Sequence, residues 1–223
     1  MLRSSIFIQR PPRPKRIPPW SLEKVTKLLM EPNYNINLNR DKLLQKAAFL
    51  LAIATGMRIS ELISISNNPS LLVFSDEDVI LFPTEILRKN EREDFQAQPI
   101  RIKRLMDETR VPHILCPVKN LQEWLTRFPN RGPYVFSSRD GKKLSPSQMT
   151  KSLSQLVNQA NPGKKFLAHD TRKYAGSVAF LRHMSLSQIK EMGFWRSSKT
   201  FKDIFIYCIS ERCFKCAGFP SPT

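Results

Sequence analysis

No apolar run in this 223-residue chain approaches the length of a membrane span, and its start has no apolar stretch of the signal-peptide kind. A membrane-embedded or secreted protein is therefore not expected. Cysteine is sparse: Cys116, Cys208, Cys213 and Cys216 read as reduced intracellular thiols. Cys213-x-x-Cys216 has the spacing of half a zinc site, but no second ligand pair stands at suitable spacing, so no metal is expected. Acidic residues are the third shortage. Nineteen Asp and Glu face 36 Lys and Arg, for a formal net charge of +17. Such a surplus favours a polyanionic partner, nucleic acid first and an anionic membrane surface second. The plain alternative is a ribosomal or merely soluble basic protein. A hydrophobic content of 41% argues for a real core and against a disordered basic tail.

The surplus charge begins early. Residues 1–19 form a basic, proline-rich arm with Arg10, Arg13, Lys15 and Arg16 set among prolines. Proline favours an extended chain with few hydrogen bonds of its own. The arm suits lying along phosphates or carrying a nuclear address, and equally a bare linker. Ser21 is placed to cap a helix over residues 22–30. Asn39 caps a longer helix whose Leu43, Leu44, Ala47, Ala48, Leu50 and Leu51 make a wide apolar face. Gly56 ends it as a residue free to take a left-handed conformation. A short helix follows, and Arg58 sits at the junction. By spacing alone, Arg58 pairs with Glu61 one turn on.

From residue 71 the hydrophobic period changes to that of strands. Residues 71–74, 79–82 and 98–102 read as a small antiparallel sheet. The last two strands are joined by a charged hairpin with Arg88 and Lys89 near its tip. Helices resume at 118–128, with Trp124 and Leu125 at core spacing, and at Ser145-Pro146, a cap followed by a first-turn proline. Tyr134-Val135-Phe136 reads as a brief strand between them. Lys164 and Lys165 follow a break at Pro162-Gly163 and lead to Ala168-His169-Asp170-Thr171-Arg172-Lys173. His169 and Arg172, three apart, share one helical face. A guanidinium fork beside an imidazole suits an anion that must be held and then protonated or deprotonated, though a surface pair has the same spacing. Ser185 caps a short helix over 186–192, and a last helix starts near Ser198 or Thr200.

Taken together, Thr55-Gly56-Met57-Arg58-Ile59-Ser60-Glu61-Leu62, the hairpin lysine, His169-Asp170-Thr171-Arg172, Gly193-Phe194-Trp195 and an aromatic last helix resemble the tyrosine recombinase, or phage-integrase, catalytic domain. The arm and the run from Met192 to Phe201 are most similar to eukaryotic transposon recombinases of the DIRS, Ngaro and Crypton kind. The resemblance implies an α+β domain, mainly helical with a small antiparallel sheet, over residues 20–210, between the arm at 1–19 and a tail at 211–223. It implies site-specific cleavage and rejoining of double-stranded DNA by a dimer or tetramer, in the nucleus if the host is eukaryotic, with no cofactor. Arg58 and Arg172 would stabilise the phosphate, and His169 would assist proton movement. Lys89, or less readily Arg88, would protonate the leaving oxygen, and Trp195 would pack against the phosphate. Arg10, Arg13, Lys15, Arg16, Arg88, Lys164, Lys165 and Lys173 would contact DNA.

The sequence departs from the family at the nucleophile. The transposon pattern places a tyrosine about four residues after Phe201, where this chain has Phe205. Phe201, Ile204, Phe205 and Cys208 form one stripe, and Tyr207 points elsewhere on the helical wheel. Three readings stay open: an engineered Tyr→Phe change at 205, natural decay to a binding-only protein, or a shifted helix with Tyr207 as nucleophile. A DNA-binding protein on an inactive recombinase fold and a topoisomerase of type IB are the other functional readings.

Overall fold

The computed structural model describes residues 18–82, 99–129, 132–181, 183–185 and 187–189. They form a mainly helical body carrying a small antiparallel sheet, the architecture expected from the sequence.

Helix α1 (Leu22–Met30) starts where Ser21 accepts the Lys24 N–H, and it packs on α5 (Pro146–Ala160). A 3₁₀ turn at Pro32–Tyr34 leads to α2 (Arg40–Thr55). The Asn39 side chain caps α2 by accepting the Lys42 N–H at 2.9 Å. Gly56 ends it with φ 63°, the left-handed conformation that a side chain disfavours. The expectation of one apolar face on α2 needs correcting. Ten consecutive residues, Leu43 to Ala52, are buried, because other helices and the sheet enclose α2 on all sides.

That enclosure takes in Lys46, which is 2% exposed. Its ammonium donates to Tyr34 O at 2.9 Å and to Asn35 Oδ1, so it holds the 3₁₀ turn against α2. Burial brings its pKa from the ordinary 10.5 down to about 8.

After the short helix α3 (Ile59–Leu62) come β1 (Leu72–Phe74), β2 (Asp78–Leu81) and β3 (Ile100–Lys103) in the order β1-β2-β3. Register pairs Leu72 with Leu81 with Ile100, and Phe74 with Val79 with Ile102, and these rows face the core. Val73 and Arg101 face outward. Arg101 reaches Asp78 at 2.8 Å, tying β3 to the start of β2.

Cys116 caps α4 (Pro117–Arg127) and is fully buried, its Sγ accepting the N–H of Leu105 and of Lys119. Residues 134–136 do not form the strand expected of them. Tyr134 makes a single bridge to Ser66, while Val135 and Phe136 are buried and Val135 O accepts the Trp124 indole N–H at 2.9 Å. Their hydrophobicity reflects packing on α4 rather than a ladder. Helix α5 opens on a capping box between Ser145 and Gln148, and α6 (Asp170–Leu181) packs against α2. Ser185 stands at the cap position expected of it and exchanges two hydrogen bonds with Gln188.

Candidate active site

The site is built where two helix ends meet. The left-handed turn at Gly56 ends α2 and lets the chain start α3 two residues later, with Arg58 at its N-cap. Glu61 reaches back, accepting the Arg58 backbone N–H at 2.7 Å and pairing with its guanidinium. The pairing expected from spacing is present, and it orients Arg58 rather than spending it on the surface. The Arg58 side chain is 20% exposed and that of Glu61 10%.

Arg172 comes to the same junction from α6, 116 residues away. It is buried, and its Nη1 donates to Gly56 O at 2.8 Å. That bond puts two guanidiniums within electrostatic reach of each other. Burial first, and then the charge of Arg58, pull the Arg172 pKa down to about 10, while Glu61 opposes them. Two like charges are held this way on a rigid frame, with the Glu61 carboxylate beside them.

His169 lies just before α6. It stands three residues before Arg172, whose charge acts on its ring. Its carbonyl accepts the Lys173 N–H at 3.1 Å, which makes it the cap of the helix. The ring keeps an open face to solvent. Partial burial, then Arg172, Arg58 and Lys173, lower its pKa, and Asp170 opposes them. A neutral imidazole among three cations can accept a proton once an anion has offset them.

Asp170 anchors this turn. It is fully buried, and it accepts the Leu167 N–H at 2.9 Å, the Trp20 indole N–H at 3.1 Å and the Lys173 ammonium at 3.2 Å. Lys173 is therefore turned toward Asp170, whereas Lys164 and Lys165 are exposed on the loop before α6.

Of the residues singled out in the sequence, the structure brings together Arg58, His169, Arg172 and Lys173. Arg10, Arg13, Lys15, Arg16, Arg88, Lys89, Trp195, Phe205 and Tyr207 lie outside the described residues. Sequence reasoning missed Asp170 and Trp20 as members of the site. The one available signal was an acidic residue directly between His169 and Arg172 in a strongly basic chain. Among the described residues no cluster of His, Cys, Asp and Glu could hold a metal ion.

The family model described as "Phage integrase family" matches residues 21–206. No curated protein sequence matches significantly. Among solved structures, the chain is similar to XerH site-specific recombinase bound to palindromic difH substrate in a post-cleavage complex, with TM-score 0.60 and 16% identity over 86% of this chain and 50% of that one. It is similar to a lambda integrase dimer bound to a COC′ core site, with TM-score 0.55 and 13% identity over 89% of this chain and 50% of that one. It is also similar to the Tn1549 transposon integrase in complex with transposon right end DNA, with TM-score 0.55 and 11% identity over 93% of this chain and 66% of that one. The chain thus spans about half the length of the first of these structures.

Proposed function

We propose, from the premise that this chain belongs to the phage integrase family, that it breaks and rejoins duplex DNA through a 3′-phosphotyrosine intermediate. The proposed context is integration or excision of a transposon, of the DIRS, Ngaro or Crypton kind, in a nucleus. The observation that carries the reading is the meeting of Arg58, Arg172 and His169 at the Gly56 junction. Breaking a phosphodiester places charge on nonbridging oxygens, and two preorganised guanidiniums supply planar, two-point donors for them. His169 hydrogen-bonds one of these oxygens and assists proton movement. Lys89 protonates the leaving 5′ oxygen, with Arg88 the less favoured occupant, and Trp195 packs beside the phosphate. The covalent phosphotyrosine conserves the bond energy, so rejoining needs no nucleotide cofactor.

Backbone binding falls to Arg10, Arg13, Lys15 and Arg16 on the arm and to Lys164 and Lys165 on the exposed loop. Lys173, drawn to Asp170, contributes mainly by its field. The DNA-bound dimer of lambda integrase supports assembly of this chain as an oligomer on DNA.

A second reading rests on one observation. Phe205 stands at the position in the sequence where the family pattern places the nucleophile, so the chain as it stands binds DNA without cutting it. Incubation with nicked suicide duplexes decides between the two. The chain as given is expected to form no covalent adduct, and Phe205→Tyr to form one that survives EDTA and Tyr207→Phe. An adduct from the unaltered chain that disappears in Tyr207→Phe makes Tyr207 the nucleophile. No adduct from any of these proteins leaves the binding-only reading.

A further inference from the structure

Trp20 stands where the proline-rich arm meets the helical body, and it is 3% exposed. Its ring lies among Phe49, Phe166 and Tyr174, with centroids 6.1, 5.9 and 4.5 Å away. Packing of this kind needs only a large apolar ring. The polar contacts are more specific. The indole N–H donates to Asp170 Oδ2 at 3.1 Å, and the Trp20 carbonyl accepts the Tyr174 hydroxyl. Next along the chain, Ser21 N–H donates to Asn161 Oδ1 at 2.9 Å, and Asn161 Nδ2 returns a bond to Ser21 O at 3.3 Å. Both ends of the loop that carries His169 are thus fastened to residues 20 and 21.

Asp170 closes that loop. Its N–H donates to Leu167 O and its carboxylate accepts the Leu167 N–H, both at 2.9 Å, so residues 167–170 form a doubly bonded turn ending beside His169. A fully buried carboxylate keeps its place only while donors satisfy it. Leu167 and Lys173 belong to the same stretch of chain and move with it. Trp20 is the donor, among those described, that ties Asp170 to another part of the fold.

We infer that Trp20 is a positioning residue for the phosphate site: through Asp170 it fixes the turn that presents His169 beside Arg58 and Arg172. The inference rests on the reading of that cluster as a phosphate site and assigns the device that aims it. Loss of the indole N–H leaves Oδ2 with the Leu167 N–H alone. The turn is then free to shift relative to Arg58, which belongs to a different helix junction.

The test uses the full chain with isotopically labelled histidine, whose three side chains give a simple NMR spectrum, and inorganic phosphate as the probe. His169→Gln assigns the signal. In the unaltered chain the His169 resonance is expected to shift saturably with phosphate and to stop responding in Arg172→Gln. Trp20→Phe keeps an aromatic ring and is expected to weaken the response about tenfold, the scale seen when a group that orients a ligand-binding side chain is removed. The His113 signal should stay in place, and the melting transition should fall while remaining well above the temperature of the titration. Should Trp20→Phe fail to fold, site-specific replacement of this tryptophan by its benzothienyl analogue removes only the N–H, and the same weakening is expected. A response as strong as in the unaltered chain, in a folded variant, overturns the positioning role and leaves the phosphate site standing. A His169 signal indifferent to phosphate in the unaltered chain, or unaffected by Arg172→Gln, overturns the site reading and the positioning role with it.

Discussion

Replacing Glu61 by Gln should make the protein less stable and its affinity for phosphate greater. The Glu61 carboxylate accepts the Arg58 backbone N–H at 2.7 Å and pairs with its guanidinium. Glutamine also serves at this position of a helix start, so its amide oxygen can keep the backbone bond. What disappears is the charge. A hydrogen bond to a charged group contributes about 1.5–3 kcal/mol and a neutral one about 1 kcal/mol, so the guanidinium contact loses about 0.5–2 kcal/mol. Burial, and then the charge of Arg58, lower the Arg172 pKa; Glu61 opposes them, and its loss removes that opposition. Urea denaturation at low salt should therefore show Glu61→Gln destabilised by about 0.5–2 kcal/mol. An anion in the site restores the balance, so inorganic phosphate should raise the melting temperature of Glu61→Gln by more than that of the unaltered chain. If stability and phosphate response fall together, Glu61 serves only the fold and the electrostatic account is wrong.

Other outcomes follow from groups described above. Lys46 titrates near 8 when folded and at its ordinary 10.5 when unfolded, so the unfolded chain binds more protons between those values. Its contribution to stability should rise with pH across that window and be flat below it. Lys46→Met should remove that slope in urea titrations, and an unchanged slope refutes the assignment. The His169 pKa is lowered by burial and by neighbouring cations. Phosphate should raise it, so binding should take up a proton and strengthen as pH falls through the imidazole range. Calorimetry in buffers of different ionisation enthalpy reads this directly, and zero uptake contradicts it. Among the described residues, Thr171 Oγ1 is buried with no hydrogen-bond partner. Thr171→Val should be neutral or stabilising by about 1 kcal/mol, and a loss of that size would reveal a partner for the hydroxyl. Duplex affinity should fall with log salt at a slope of about 0.9 per neutralised phosphate, and a flat dependence rules out phosphate-led binding.

Features set by neighbouring residues were legible in the sequence. The caps at Ser21, Asn39 and Ser145 and the left-handed end at Gly56 depend on residues within a turn of each other, and each stands where local chemistry put it. The pairing of Arg58 with Glu61 was legible for the same reason. Its meaning was not, because spacing cannot say that Arg172 arrives at Gly56 from the far end of the chain. Only resemblance to a family joined those motifs. The burial of α2 on every side was missed because a period-3.6 reading assumes one wet face. Tyr134-Val135-Phe136 misled for a related reason: a short apolar run looks the same whether it pairs in a sheet or packs under a tryptophan. Asp170 left one local trace, its acid charge between His169 and Arg172 in a basic chain, and Trp20 left none.

The bonds from Trp20 and Ser21 to Asn161, Asp170 and Tyr174 span 140 to 154 residues. Closing loops of that length is entropically costly and contributes nothing until the far partners exist. During synthesis, residues 20 and 21 emerge early but cannot seat until α6 has left the ribosome. The basic arm beside them meets the cell's polyanions before the body it belongs to has closed. The last of these contacts to form also secure the turn beside His169. A chain halted before Tyr174 would carry most of the basic charge without the bonds that hold the His169 turn in place.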